Sequence, residues 1–213
     1  MRLLRFSGPL PPELAAVDAE VRGFLPADEA DALRDAAATY LRPGGLAVEV
    51  GSYCGKSAIH LGHVARLVGA RLVTIDHHRG SEEQQQGWEY HDTSVVGADG
   101  RMDTLPFLRE TLARTGLEDV VDVVVGRSPV VAAWWSTPLD LVFVDGGHTD
   151  EHTSADYAGW SPHVRPGGAL VIHDVFPDPD DGGQAPYRNL YLAALADGFT
   201  EVHQTGSLRV LER

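Results

Sequence analysis

The sequence predicts an α/β fold with a mostly parallel, seven-stranded sheet, an antiparallel last strand and helices on both faces. Short apolar runs typical of buried strands alternate with longer segments of helical periodicity. The last two apolar runs are separated by only a short turn, as in an antiparallel pair. Neither an internal repeat nor a shift in composition divides the 213 residues, so we predict a single domain.

The predicted strands are runs of five to seven residues, rich in valine, leucine and isoleucine and bounded by glycine, proline or charged residues. Strands separated by a helix are expected to pair in parallel, with their carboxyl ends at one edge of the sheet. The predicted strands are residues 46–50, 72–76, 120–125, 139–145, 169–173, 199–204 and 207–211.

The predicted helices carry apolar residues at every third or fourth position. The second begins with Asp28 and Glu29, whose charges suit a helix N-terminus, and ends before Pro43. The first two helices form an N-terminal extension over residues 1–41. The predicted helices are residues 13–22, 27–40, 58–68, 103–114, 153–160 and 187–196, and Trp134 and Trp135 fall in a further helix as packing residues.

Residues 78–102 form a polar insertion without periodicity, which ends near the start of the fourth helix. A segment of this length inside a compact domain is either a functional lid or a mobile surface loop, and both interpretations stay open. As a lid it would bring His78, Trp88, Tyr90 and His91 to a substrate.

The net charge of −14, from 17 basic and 31 acidic residues, argues against nucleic-acid partners, which require an excess of basic residues. It favours a small-molecule or oligosaccharide acceptor. No apolar run is long enough to span a membrane, and no signal peptide is recognisable, so we expect a cytoplasmic protein without a membrane partner. The single cysteine, Cys54, excludes an internal disulfide.

The segment LAVEVGSYCGKS, residues 46–57, leads from the first strand through a glycine turn into a helix. Such a turn lets the backbone approach a nucleotide closely. The dinucleotide pattern G-x-G-x-x-G does not fit, because Tyr53 stands where its second glycine is needed. The phosphate-binding pattern G-x-x-x-x-G-K-[ST] misses its first glycine, because Val50 stands there.

A third pattern, E-x-G-x-x-x-G, matches at Glu49, Gly51 and Gly55. It resembles the first motif of the class I S-adenosylmethionine (SAM)-dependent methyltransferases, which have a Rossmann-like fold. The resemblance implies that SAM is the cofactor and that its methionine end contacts these three residues together with Tyr53 and Ser57.

Asp76 ends the second predicted strand, 25 positions after Gly51. A carboxylate at this place accepts hydrogen bonds from ribose hydroxyls in nucleotide-binding sheets, although an aspartate that only caps the strand end is the alternative. We therefore predict that Asp76, with the adjacent His77, binds the cofactor. The resemblance adds Arg127 and Ser128, after the third strand, as contacts of the adenine.

Two further motifs follow the fourth and fifth strands, Asp145-Gly146-Gly147-His148 and His173-Asp174. Both should emerge at the edge where the glycine turn emerges, so Asp145 also lies close to the cofactor. Two carboxylates this close repel each other unless a divalent cation lies between them, and oxygen ligands favour Mg²⁺ or Mn²⁺. We predict that Asp145 and Asp174 hold such a cation.

The runs D-G-G-H, P-G-G and V-I-H-D resemble metal-dependent O-methyltransferases that act on sugar hydroxyls of macrolides and related glycosides. The resemblance implies that Asp145, His173 and Asp174 bind the metal and that His148 is the general base. His173 stands where the pattern has an acid, and imidazole suits Mn²⁺ or Zn²⁺ better than Mg²⁺. As the alternative, Asp145 caps a turn, while His148 and His152 are exposed helix residues.

Together these features predict a metal-dependent transfer of a methyl group from SAM to a hydroxyl of a sugar, an oligosaccharide or a glycosylated small molecule. The run DHHRGSEEQ, residues 76–84, is similar to sugar O-methyltransferases of methylmannose polysaccharide assembly. The alternatives are a phenolic or antibiotic acceptor, a non-catalytic SAM-binding protein and a P-loop ATPase. The N-terminal helices and the insertion offer surfaces for a homodimer.

Overall fold

The computed structural model describes residues 7–88 and 91–213. Its strands are β1 Leu46–Val50, β2 Arg71–Asp76, β3 Val121–Val125, β4 Leu139–Val144, β5 Val164–Ile172, β6 Thr200–Thr205 and β7 Leu208–Glu212. They form one sheet in the order β3-β2-β1-β4-β5-β7-β6. The first five pair in parallel, and β7 is antiparallel to both β5 and β6. The predicted seven-stranded α/β fold with its antiparallel last strand is confirmed.

Helices cover both faces of this sheet. Their bounds are α1 Pro12–Glu20, α2 Ala27–Tyr40, α3 Lys56–Val68, α4 Leu105–Thr115, α5 Ser128–Ala132, α6 Asp150–Trp160 and α7 Leu192–Ala196, the last preceded by a π-helical turn, Tyr187–Tyr191. Apolar side chains of α2, α3 and α4 form the core on one face. Those of α5, α6 and the last helix form the core on the other face. Among the described residues, no helix has both the length and the apolar character needed to cross a membrane.

Two local predictions were wrong. The helix α5 ends at Ala132, and the backbone N–H groups of Trp134 and Trp135 instead close four-residue turns onto the carbonyl oxygens of Val131 and Ala132. As a result, Trp135 packs edge-on against Trp160 with ring centroids 5.4 Å apart, whereas Trp134 is 62% exposed. The strand β5 begins at Val164 instead of residue 169, because it pairs with β4 through a shift in register.

Hydrogen bonds continue past the ends of three adjacent strands and hold the following residues side by side. The backbone N–H of Asp145 donates to Val50 at 2.9 Å, and that of His173 donates to Val144 at 3.1 Å. Gly51 donates in the same way to Ile75 at 3.0 Å. The glycine turn and the two acid–histidine motifs therefore share one edge of the sheet, as the sequence predicts.

The insertion folds back toward the glycine turn. Val95 and Met102 are buried with Cys54 in one small apolar cluster. The Arg22 side chain, from the connection between α1 and α2, lies 3.4 Å from the Asp92 carboxylate of the insertion. The insertion thus lies against both the turn and the N-terminal helical extension.

Candidate functional site

Both Gly51 and Gly55 of the motif lie where a side chain would collide with neighbouring atoms. Gly51 has φ +91°, and a Cβ built on it would lie 2.1 Å from the carbonyl oxygen of Asp145. Gly55 has φ +92° at the N-terminus of α3, where a Cβ would lie 2.8 Å from Leu108 Cδ1. Tyr53 between them also has a positive φ of 46°, which is unfavourable for a residue with a Cβ. The turn is therefore fixed in one shape, directly against the start of the Asp145 motif.

The carboxylate of Asp76 holds this turn in place. Its Oδ2 accepts hydrogen bonds from the backbone N–H groups of Ser52 and Tyr53 at 3.1 and 3.0 Å. Its Oδ1 accepts one from the N–H of His78 at 2.7 Å. Asp76 thus organises the backbone at the place predicted to bind ribose, and its role as a ribose ligand stays a prediction.

Glu49 is completely buried beneath the turn and accepts a hydrogen bond from the Thr74 hydroxyl. Burial raises the pKa of the Glu49 carboxyl to about 7, the hydroxyls of Ser57 and Thr74 oppose this rise, and the charges of Asp145 and Asp76 add to it. The turn is consequently surrounded by three carboxyl groups, those of Glu49, Asp76 and Asp145.

The lysine of the glycine motif does not contribute to this site. Lys56 Nζ donates to the backbone oxygen of Asp18 at 2.8 Å and lies 3.2 Å from the carboxylate of the same residue. Its ammonium group therefore forms an ion pair that links α3 to α1. A phosphate-binding role for the turn, as in a P-loop ATPase, gains no support from this arrangement.

The predicted residues after β4 and β5 come together. One potential ligand atom from each of Asp145, His148 and Asp174 lies within 4.8 Å of the others. His148 Nε2 is 3.2 Å from Asp174 Oδ2. Asp174 has a positive φ of 56°, an unfavourable backbone conformation that is concentrated at functional sites. The two carboxylates offer oxygen ligands that fit a divalent cation, and the His148 imidazole lies beside them.

His173 is buried, and both of its ring nitrogens face carboxylates. Nδ1 lies 3.0 Å from Asp145 Oδ1 and 3.3 Å from Asp174 Oδ2, while Nε2 lies 2.7 Å from Glu29 Oε2. Although burial lowers the pKa of His173, the three carboxylates outweigh it and raise the pKa well above its ordinary value. These carboxylates favour the protonated ring, which contacts both predicted metal ligands through Nδ1. Both ring nitrogens of His173 thus face carboxylates, and its predicted metal contact stays a prediction.

Glu29 was missed at this site by sequence reasoning, which assigned it only to a helix N-terminus. Its Oε1 accepts a 2.7 Å hydrogen bond from the backbone N–H of Ser207, between β6 and β7. Burial raises the pKa of Glu29, but the contacts with His173 and Ser207 outweigh this and lower it. No local signal reveals that residues 29 and 173 meet.

Glu83 is the second residue that sequence reasoning missed. It lies in a 3₁₀ turn of the insertion, Glu82–Gln84, with Oε2 3.1 Å from His148 Nδ1. Burial lowers the pKa of His148, but Asp174 and Glu83 outweigh it and raise the pKa to about 10. In turn, the hydrogen bond from His148 lowers the pKa of Glu83. The adjacent acidic residues 82 and 83 were the sequence feature that could have indicated this contact.

The other predicted substrate residues have different environments. His78 is buried, and its Nδ1 lies 2.8 Å from the Thr104 hydroxyl, while burial lowers its pKa. Trp88 is 63% exposed, and His91 Nδ1 lies 2.9 Å from the backbone oxygen of Gln84. Tyr90 lies outside the described residues. Contacts of these four residues with a substrate stay predictions.

The residues predicted to contact the cofactor beside β2 and after β3 differ in their exposure to solvent. His77 and Arg127 are exposed. The Ser128 hydroxyl faces inward and accepts a 2.6 Å hydrogen bond from Trp160 Nε1. Burial raises the pKa of the neighbouring Asp156 to about 6, and its hydrogen bond with Ser128 opposes the rise. The Ser128 side chain therefore joins α5 to α6, and adenine contacts of this segment stay predictions.

Two curated relatives are 46% identical to short parts of the chain. Mycinamicin VI 2''-O-methyltransferase of Micromonospora griseorubida matches over 50 residues, 22% of this chain and 12% of the relative. Demethylmacrocin O-methyltransferase of Streptomyces fradiae matches over 39 residues, 18% of this chain and 10% of the relative. The matched segments thus span only about a tenth of the length of these relatives.

Solved structures share the fold over nearly the whole chain. Cofactor-bound Rv0187 from MTB is 24% identical, with a TM-score of 0.63, covering 94% of this chain and 87% of that one. The O-methyltransferase TomG of Streptomyces achromogenes, solved with SAM, is 21% identical with a TM-score of 0.61, covering 96% and 91%. A family model described as a methyltransferase domain matches residues 48–175, more than half of the sequence. The chain therefore belongs to this methyltransferase-domain family.

Proposed function

We propose that this protein transfers a methyl group from SAM to a hydroxyl oxygen of a small-molecule acceptor, assisted by a divalent cation. One observation carries the proposal: the glycine turn lies directly against the Asp145–His148–Asp174 cluster. A Cβ on Gly51 would lie 2.1 Å from the Asp145 carbonyl oxygen. A donor bound on the turn and an acceptor bound at the cluster would therefore be neighbours.

The charges around the turn support SAM as the donor. Glu49, Asp76 and Asp145 surround the turn, while Lys56 is paired with Asp18. Carboxylates attract the ammonium and sulfonium groups of SAM and repel the phosphates of ATP. SAM, when bound, supplies an electrophilic methyl group. The methyltransferase-domain family and the fold shared with SAM-bound TomG support the same choice.

Asp145 and Asp174 are the residues that would hold the cation, with Mg²⁺ or Mn²⁺ as the candidates. His173 holds both carboxylates by its Nδ1 atom and so maintains their spacing. A cation there would compensate the negative charge beside His148 and stabilise alkoxide character on an acceptor oxygen.

His148 is proposed as the general base. In the transfer, the acceptor oxygen would bond to the methyl carbon of SAM while the carbon–sulfur bond breaks with its electrons remaining on sulfur, and the hydroxyl proton would pass to His148 Nε2. Asp174 and Glu83 raise the pKa of His148 to about 10 in the cation-free protein. His148 thus acts as a base at neutral pH only where the charge of Asp174 is compensated.

The acceptor is proposed to be a sugar, an oligosaccharide or a glycosylated small molecule. The two curated relatives are named as O-methyltransferases of mycinamicin VI and demethylmacrocin, which supports small-molecule acceptors. The net charge of −14 also favours an uncharged or cationic acceptor. Exposed Trp88 offers an aromatic face on the insertion that carries Glu83.

The test is transfer of a labelled methyl group from SAM to a panel of mannosides, macrolide glycosides and catechols, with Mn²⁺ or with a chelator. We expect label in a glycoside, loss of transfer on chelation and recovery on adding Mn²⁺. Transfer only to catechols would contradict the sugar acceptor, and unchanged transfer after chelation would contradict the cation. His148→Ala should bind SAM normally but lose turnover by about 10²–10⁴-fold. Full turnover of this variant would contradict the base role.

A further inference from the structure

We propose that Glu83 is a positioning residue, which holds the His148 ring so that Nε2 faces the reacting hydroxyl. The inference deepens the proposed function and rests on it. Glu83 belongs to the insertion, 65 residues before His148 in the sequence, yet its Oε2 lies 3.1 Å from His148 Nδ1. The opposite nitrogen, Nε2, points into the cluster, 3.2 Å from Asp174 Oδ2.

A carboxylate that accepts a hydrogen bond from Nδ1 determines whether Nε2 carries a proton or a free lone pair. Since Glu83 only accepts hydrogen bonds, the proton of a neutral His148 ring stays on Nδ1 and the lone pair is on Nε2. The same carboxylate stabilises the imidazolium that forms when Nε2 takes up a proton. Glu83 thus selects the tautomer that can act as a base toward the cluster.

The turn that carries Glu83 is held in place by the glutamines around it. Gln84 Oε1 accepts a hydrogen bond from the Ser81 N–H at 3.0 Å. Gln85 Nε2 donates to the backbone oxygens of Arg79 and Ser81 at 3.0 and 2.9 Å. The Glu83 side chain is 35% exposed, so its contact with His148 is partly shielded from water. These hydrogen bonds fix the backbone that carries Glu83 and so support its contact with His148.

The test compares Glu83→Gln with Glu82→Gln, which removes the same charge from an exposed residue of the same turn. Glu83→Gln removes the charge that stabilises the imidazolium, and its amide N–H can donate to Nδ1, which would leave the proton on Nε2, where the ring can no longer accept one. We expect kcat of Glu83→Gln to fall by at least about tenfold, with the KM for SAM unchanged. Glu83→Asp should recover part of kcat, and Glu82→Gln should match the wild type. Equal kcat for Glu83→Gln and Glu82→Gln would overturn the proposal.

Two further measurements separate this inference from the proposed function. In a His148→Ala background, Glu83→Gln should lower the remaining turnover no further, and an additional loss would overturn action through His148. Without acceptor or SAM, the Nδ1 proton of His148 should give a downfield NMR signal that disappears in Glu83→Gln and persists in Glu82→Gln. A signal unaffected by Glu83→Gln would overturn the contact itself. Full activity of His148→Ala would instead contradict the base role in the proposed function.

Discussion

His173 Nε2 lies 2.7 Å from Glu29 Oε2, and this contact joins the first turn of α2 to the residues that follow β4 and β5. It begins a chain of alternating acids and imidazoles, which continues from His173 through Asp174 to His148 and ends at Glu83. The N-terminal helical extension and the insertion are thus connected through the candidate cation site. Because acids and imidazoles alternate along this chain of contacts, each of the two histidine rings lies between carboxylates.

Removing Glu29 should destabilise the fold strongly. Glu29 is 4% exposed and is the partner of both His173 and Ser207, so Glu29→Ala leaves His173 Nε2 and the backbone N–H of Ser207 buried without an acceptor. We expect the free energy of unfolding to fall by about 3–5 kcal/mol. Urea denaturation measures this change, and Glu110→Gln, at an exposed position of α4, is the control. A loss no larger than that of the control would contradict the role of the contact.

The buried Glu49 should make stability depend on pH. Because its folded pKa of about 7 lies above the ordinary 4.5, its contribution is fully present below pH 4.5 and is lost as the pH rises through 7. Relative to Glu49→Gln, the wild type should therefore lose on the order of 3 kcal/mol between pH 4.5 and 8. Urea titrations of both proteins across this range measure the difference, and two parallel stability curves would contradict the raised pKa.

Binding of SAM near pH 7 should release protons. At this pH the Glu49 carboxyl is partly protonated, and a cationic ligand on the turn above it favours ionisation. Calorimetric titrations in buffers with different ionisation enthalpies count the protons released. We expect a fraction of one proton from the wild type and none from Glu49→Gln. A binding enthalpy that is independent of the buffer would contradict this prediction.

Cation binding should stabilise the wild type through Asp174. If Mn²⁺ binds only the folded state, a concentration 100-fold above its dissociation constant adds about 2.7 kcal/mol. Asp174→Asn should lose most of this gain in a thermal denaturation experiment with and without Mn²⁺. Asp181→Asn, at an exposed position after β5, removes the same charge and should respond like the wild type. An equal shift in all three proteins would indicate non-specific binding.

Much of the site could be predicted because it follows from strand order. The glycine turn, Asp145 and His173 each follow a parallel strand, so recognising those strands was sufficient to bring them to one edge. The bounds of α2 and β1 also agreed with the prediction.

Glu29 and Glu83 could not be predicted, because they reach the site from a helix and a loop whose positions depend on tertiary packing. Their contacts join residues 29 to 173 and 83 to 148. Local periodicity carries no information about such pairs. The inward orientation of Ser128 was missed for a similar reason, since it depends on Trp160 in a different helix.

Equilibrium dialysis with labelled SAM tests the central claim most directly, because it requires no knowledge of the acceptor. We predict saturable binding of about one SAM per chain, competition by S-adenosylhomocysteine and no competition by ATP, as the acidic surroundings of the glycine turn require. Failure to retain SAM, or its displacement by ATP, would contradict the account.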